Sequence, residues 1–166
     1  MPNNTNWNKI SKFEDADDSC GFLLWKTQLI WRRIIERALD QYNLTHTQFV
    51  ILAVTAYLTR NDNRVTQVEI AKYSLCDINT TSQVLRTLVG KKLITRTNKA
   101  GNDKSKYPIL TTLGYNTLKS AISSVESVDD CFFGSLNTEK LNIFKTSLIQ
   151  LLKDQLSRIF MFPNSP

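Results

Sequence analysis

Histidine is nearly absent from this chain, and cysteine is scarce and scattered. One histidine and three cysteines (Cys20, Cys76 and Cys131) stand among 166 residues. No CxxC pair occurs, which removes both a zinc ribbon and a dithiol redox motif. An odd number of cysteines at wide spacing fits reduced thiols inside a cell better than a disulfide framework. There is no GxSxG, no phosphate-binding glycine loop and no metal-ligand spacing. An enzyme would have nothing from which to assemble a site, and neither a metal nor a cofactor is expected. Long apolar runs are missing too. The longest fall far short of a bilayer span, and the N-terminal MPNNTNWNKISKFEDADDS has no apolar signal core. The reading is a soluble, cytoplasmic protein with no membrane partner. Internal repeats and low-complexity stretches are also lacking.

What is present is an apolar share of 42% and a net charge of +6. The first is enough for a core and too high for a disordered chain. The second is concentrated: residues 60–106 hold ten Lys/Arg against four Asp/Glu, while the remainder has eleven of each. A polyanion partner accounts for such concentration, whereas a merely soluble basic surface would spread its charge.

That segment contains the run VTQVEIAKYSLCDINTTSQVLRTLVGKKLITR, residues 65–96. Thr66 with Glu69 three residues on predicts a capping box opening a short helix that buries Val68, Ile70, Ala71 and Leu75. Asp77 is the expected cap of a second helix over 78–91. At about 100° per residue, Thr81, Val84, Leu85 and Leu88 share one side of it. Asn79, Gln83 and Arg86 centre the opposite side, flanked by Thr80, Ser82 and Thr87. A strand over 93–96, a polar turn and a return strand over 107–110 follow, with Pro108 limiting the latter to an edge. Helix, turn, helix and hairpin make a winged helix-turn-helix, whose second helix enters a DNA major groove. Asn and Gln suit adenine; Arg suits guanine or phosphate. Asn79, Thr80, Ser82, Gln83 and Arg86 are therefore the candidate base and phosphate contacts. Thr66 and Gln67 sit at a helix N-terminus that favours phosphate, although capping alone also accounts for Thr66. Arg96, Lys99, Lys104 and Lys106 are placed for phosphates or the minor groove.

The flanks read as helices. Residues 1–18 form a flexible arm ending in an acidic cluster. Ser19 is expected to cap a helix from 20 to about 42, whose apolar residues cover more than half its circumference. Thr45 is expected to cap a helix over 46–59, with 49–54 in the middle of the core and 60–63 as a turn. A helix from 111 or 112 to about 133 carries Leu113, Leu118, Ala121, Ile122 and Val125. After a break at 134–137, a last helix over 138–160 has the stripe Leu141, Phe144, Leu148 and Leu152. The fold class is thus mostly α with a small β-hairpin wing. A DNA-binding lobe spans 45–111, a helical dimerisation region comprises 19–44 and 112–160, and 161–166 is a tail. The long terminal helices exceed what such a lobe can cover, so a twofold homodimer is expected. Its recognition helices would lie one turn apart, ~34 Å, on a pseudo-palindromic operator in double-stranded DNA.

Five segments carry a family likeness in the correct order: CGFLLWKTQLIWRR, NLTHTQFVIL, VTQVEIAKYSLCDINTTSQVLRTL, KKLITR and ILTTLG. On these, the chain resembles the MarR family of winged-helix transcriptional regulators from roughly residue 20 to residue 155. The resemblance implies a repressor released by a small aromatic ligand held between the dimerisation helices and the lobe. Trp25, Trp31, His46 and Tyr57 are the side chains that would line such a pocket, beside the plainer reading of core packing. Two departures stand out. The family has Lys-Gly where this chain has Lys91-Lys92, so the glycine that ends the helix left-handed is missing. Either Gly90 shifts the helix end or Lys92 takes the strain. The family's wing Asp-x-Arg falls on Asn102 and Lys104, and lysine lacks the planar fork of arginine. Some relatives carry a reactive cysteine early in the first helix, which makes thiol-based redox sensing through Cys20 an alternative. Against it, aligning FLLW puts Gly21 at the sensing position, and Trp25 and Ile35 stand where the supporting tyrosines would be. A winged-helix protein-interaction module is the other alternative, and it would show no salt-dependent DNA binding.

Overall fold

Short polar side chains decide where the helices begin. The computed structural model describes residues 6–61, 64–97 and 107–161. The Ser19 hydroxyl accepts the Phe22 N–H at 3.3 Å and opens α1 (Cys20–Asp40). Thr45 and Gln48 form a reciprocal capping box at the start of α2 (His46–Thr59), and Thr66 and Glu69 do the same for α3 (Gln67–Ser74). Asp77 accepts the Thr80 N–H at 2.8 Å to begin α4 (Ile78–Gly90). Thr111 and Asn137 accept the Gly114 and Lys140 N–H groups, both at 2.9 Å, ahead of α5 (Thr112–Phe133) and α6 (Thr138–Met161). Each cap satisfies a backbone donor that the first helical turn leaves without an internal partner.

Strands β1 (Ile94–Thr97) and β2 (Tyr107–Leu110) pair antiparallel, from Ile94 opposite Leu110 to Thr97 opposite Tyr107. Pro108 sits opposite Arg96, and in a two-stranded sheet both strands are edges that tolerate its missing N–H. The fold is mostly α with a small hairpin wing, as the sequence pattern predicts. β1 starts one residue later than expected because the Leu93 N–H returns 3.0 Å to the Leu88 carbonyl of α4.

Two compact units divide the chain, residues 1–126 and 127–166. The core of the first joins Ile35 and Leu39 of α1, Ile51 and Leu52 of α2, Ile70 of α3, Leu85 and Leu88 of α4, and Ile94 of β1, each no more than 1% exposed. Two buried threonines sit among them. Thr55 and Thr81 return their hydroxyls to the Ile51 and Asp77 carbonyls at 2.7 and 2.9 Å, so burial strands no polar group. Val68 and Leu75, expected in this core, are exposed. Val68 lies about 200° around the helix from Ile70, and a helix as short as α3 buries only a narrow face. Leu75 follows the helix with φ 56°, which ends the helical path and leaves its side chain in solvent. In the second unit, Phe133 packs against Phe132 and Phe144 at ring distances of 5.1 and 6.2 Å. Leu141, Phe144 and Leu148 are half-buried, while Leu152 is exposed.

The missing glycine after α4 is resolved at Lys92, which adopts φ 60°. Its N–H bonds the Val89 carbonyl and the Leu93 N–H bonds the Leu88 carbonyl, the paired closure of a Schellman motif. Asn43, φ 52°, closes α1 in the same way, with Leu44 returning to Leu39. Lys92→Gly is expected to raise stability by about 0.5–1 kcal/mol by relieving the left-handed side chain. It should appear as a higher urea midpoint at unchanged slope, with no gain from Lys92→Ala. Gly114 has the opposite constraint: a Cβ there would stand 1.9 Å from the Leu93 carbonyl oxygen. Gly114→Ala is expected to lower stability by about 3 kcal/mol, because backbone rather than a flexible side chain must move.

Candidate nucleic-acid interface

α4 is two-faced. Thr81, Leu85 and Leu88 are at most 1% exposed. On the other side Asn79, Gln83 and Arg86 are exposed, with Thr80, Ser82 and Thr87 half-buried between. The Thr87 hydroxyl donates to the Gln83 carbonyl at 3.1 Å, so of this set it is turned to its own helix. α3 is tied to the start of α4 where the Gln67 amide donates 3.4 Å to the Ile78 carbonyl.

Both helix starts hold a carboxylate of their own. Glu69 accepts the Thr66 N–H and the Thr66 hydroxyl, each at 2.7 Å. These bonds, the backbone one first, hold the Glu69 carboxyl below its ordinary 4.5. The hydroxyl and then the N–H of Thr80 lower Asp77 likewise. The capping reading of Thr66 is thus met by its bonds, and Glu69 places a negative charge beside the Thr66 N–H. Gln67 stays half-buried at the same end.

Exposed cations flank α3 and α4 in the chain. Arg96 is exposed on β1, and Arg64 is exposed just ahead of Thr66. Arg64 lies outside the capping motif, so no local pattern in the sequence singles it out. Lys99, Lys104 and Lys106, together with Asn102, lie outside the described residues.

The four expected pocket residues are spread over α1 and α2. Trp31 and His46 pack edge-on at 5.2 Å. Trp25, further back along α1, is exposed and stacks on Phe22 at 5.7 Å. Tyr57 stands near the other end of α2 from His46, about 16 Å away at 1.5 Å rise per residue. Its ring lies 5.5 Å from Tyr73 and carries the Arg60 guanidinium 3.8 Å over its face. A hydrogen bond with Tyr57, and then burial, push the Tyr73 phenol up. Tyr57 instead lines a groove of about 380 Å³ between α2 and α5, with Ala53, Ala56, Tyr115, Leu118, Lys119 and Ile122. Tyr115 and Lys119 have no signal of their own in the sequence, because they approach Tyr57 only through the packing of two helices. Cys20 is exposed at the start of α1.

The family model of the MarR family matches residues 44–106, from the residue before Thr45, the cap of α2, past β1 and up to the start of β2. The HTH-type transcriptional regulator YdcH of Bacillus subtilis (strain 168) is 34% identical over 145 residues, which cover 87% of this chain and 97% of that protein. The chain belongs to the MarR family of transcriptional regulators. Among solved structures, the S. aureus MepR–DNA complex is similar at a TM-score of 0.73 and 25% identity, covering 85% of this chain and 99% of that one. A Mycobacterium tuberculosis MarR family protein in complex with salicylic acid has a TM-score of 0.64 at 25% identity, covering 83% and 98%.

Protonation of the two capping carboxylates is expected to weaken the helix-turn-helix in acid. Their folded pKa values lie below the ordinary 4.5 of Glu69 and 3.8 of Asp77. The stability they supply is complete above those values and is lost as pH falls through the lowered ones. The melting temperature is expected to drop as pH falls from about 5 towards 3, and to drop less in Glu69→Gln. An equal drop in both proteins would mean that Glu69 contributes nothing to the acid response.

Proposed function

We propose that this chain is a homodimeric, sequence-specific repressor of transcription, acting in the cytoplasm and released from its operator by a small aromatic acid. It acts by binding, not catalysis. The observation that carries the reading is α4, anchored through Thr81, Leu85 and Leu88 while Asn79, Gln83 and Arg86 remain exposed. Those three are assigned to base edges, with Thr80 and Ser82 beside them on bases or phosphates. Gln67, Arg64 and Arg96 are assigned to phosphates, and the wing lysines Lys99, Lys104 and Lys106 to phosphates or the minor groove.

Dimerisation follows from apolar surface that a monomer would leave wet. On α1, Phe22, Leu23, Leu24, Trp25, Ile30 and Ile34 are exposed, and on α6 so are Ile143, Ile149, Leu151 and Leu152. Several large apolar side chains left exposed along one helix point to an association surface. Residues 19–44 and 112–160 are accordingly assigned to the dimer interface and 45–111 to the DNA-binding lobe. The MepR–DNA complex supports the DNA partner.

The ligand site is assigned to the α2–α5 groove rather than to Trp25, Trp31 and His46. Tyr57 and Tyr115 offer aromatic faces there, and Lys119 offers an ammonium for a carboxylate. Salicylic acid, bound by the M. tuberculosis relative, has this chemistry. α2 also packs on α3 and α4, so a ligand that alters the α2–α5 spacing favours one setting of the recognition helix over another.

Operator affinity is expected to fall steeply with salt. Arg86→Ala and Gln83→Ala should each weaken specific binding by about 1–3 kcal/mol while the dimer stays intact. Affinity would be followed by fluorescence anisotropy on DNA selected from random sequence. Salt-independent or absent binding would favour the protein-interaction reading, and unchanged affinity in both variants would remove α4 as the reader. Lys119→Gln should bind operator normally yet need a higher salicylate concentration for release.

A further inference from the structure

Lys91 sits at the junction of α4 with the elbow between α1 and α2. Its ammonium donates to the Asn43 carbonyl and, at 2.9 Å, to the Gln48 side-chain oxygen. Asn43 is the left-handed residue that closes α1, and Gln48 belongs to the capping box that opens α2. One charged side chain thus spans the C-terminal end of α1, where carbonyls point outward and attract a cation, and the first turn of α2. From the same elbow, the Tyr42 hydroxyl donates to the Ser120 carbonyl at 3.1 Å and bonds the Ser124 hydroxyl at 2.7 Å on α5. The α1–α2 elbow is therefore fastened to α5 on one side and to the recognition helix on the other.

We infer that Lys91 is a positioning residue for operator binding: by clamping the end of α4 to the Asn43–Gln48 elbow, it sets the recognition helix relative to α1 and so the half-site spacing the dimer accepts. This rests on the DNA-binding dimer proposed above. The half-buried Lys91 engages protein acceptors, unlike the exposed Arg64 and Arg96 assigned to phosphates. A cation of that second kind adds to the phosphate count and so to the salt slope. A clamp contributes to geometry and leaves the slope alone. Because Asn43 and Gln48 lie on the elbow, loosening them from their own side must give the same result.

The test uses the full chain and a wild-type-selected operator, together with versions whose half-sites are one base pair closer or further apart. Lys91→Met keeps most of the stem and removes the charge. It is expected to lose about tenfold in affinity, the scale of one mismatched base pair, to discriminate less among the three spacings, and to keep the wild-type salt slope. Gln48→Ala should relax spacing discrimination in the same way, and the double variant should be no worse than the poorer single one, as expected for two ends of one interaction. Lys91→Arg should recover part of the discrimination. If Lys91→Met unfolds, Gln48→Ala carries the test alone. The inference is overturned if Lys91→Met lowers the salt slope by about one contact with spacing preference intact, or if Gln48→Ala discriminates as the wild type does. Wild-type protein that shows no salt-dependent binding would remove the regulator reading itself, and the clamp with it.

Discussion

The structure turns on the burial of one face of α4. Thr81, Leu85 and Leu88 are sealed into a core built from α1, α2, α3 and β1, and that anchorage is what leaves Asn79, Gln83 and Arg86 presented together. Each leucine removed from water stabilises by about 2–3 kcal/mol, so the polar face need contribute nothing to folding. It is free to be selected for what it touches. Thr81 shows how tightly the division is kept: its hydroxyl is turned back to the Asp77 carbonyl, letting a polar residue lie on the apolar side without an unsatisfied group.

The connections around α4 follow from the same constraint. A recognition helix must start and stop at defined points, and here both ends are held by local devices. Asp77 caps the start. The stop is a left-handed Lys92 rather than a glycine, with Leu93 tied back to Leu88 and Thr111 bonded to the Lys92 carbonyl at 2.7 Å. Leu75 in the preceding turn is likewise left-handed without being glycine. Such positions persist only where neighbouring structure overrides their strain, and they bracket the helix that the account makes functional.

Legibility in the sequence tracked the range of the interaction. Ser19, Thr45, Thr66 and Asp77 act on backbone three residues away, so helix starts could be read directly from residue type. α4 was legible because thirteen residues of period 3.6 give an unambiguous face. α3 was not, because eight residues give too short a pattern to tell Ile70 from Val68. A pocket depends on tertiary structure. Trp25, Trp31, His46 and Tyr57 share a chemistry but are spread along two helices, whereas Tyr57, Tyr115 and Lys119 converge only because α2 and α5 run near one another. The contact between Lys91 and Asn43 spans 48 residues of sequence, and no local pattern announces it.

On the function proposed above, the exposed face of α4 reads a major groove, twice, in a dimer. Dimethyl sulfate footprinting tests this directly, since the reagent methylates guanine N7, which faces the major groove. The account predicts two protected patches centred about ten base pairs apart, each losing protection at one guanine in Arg86→Ala. Tight, salt-dependent binding with no N7 protected in either half-site would contradict it.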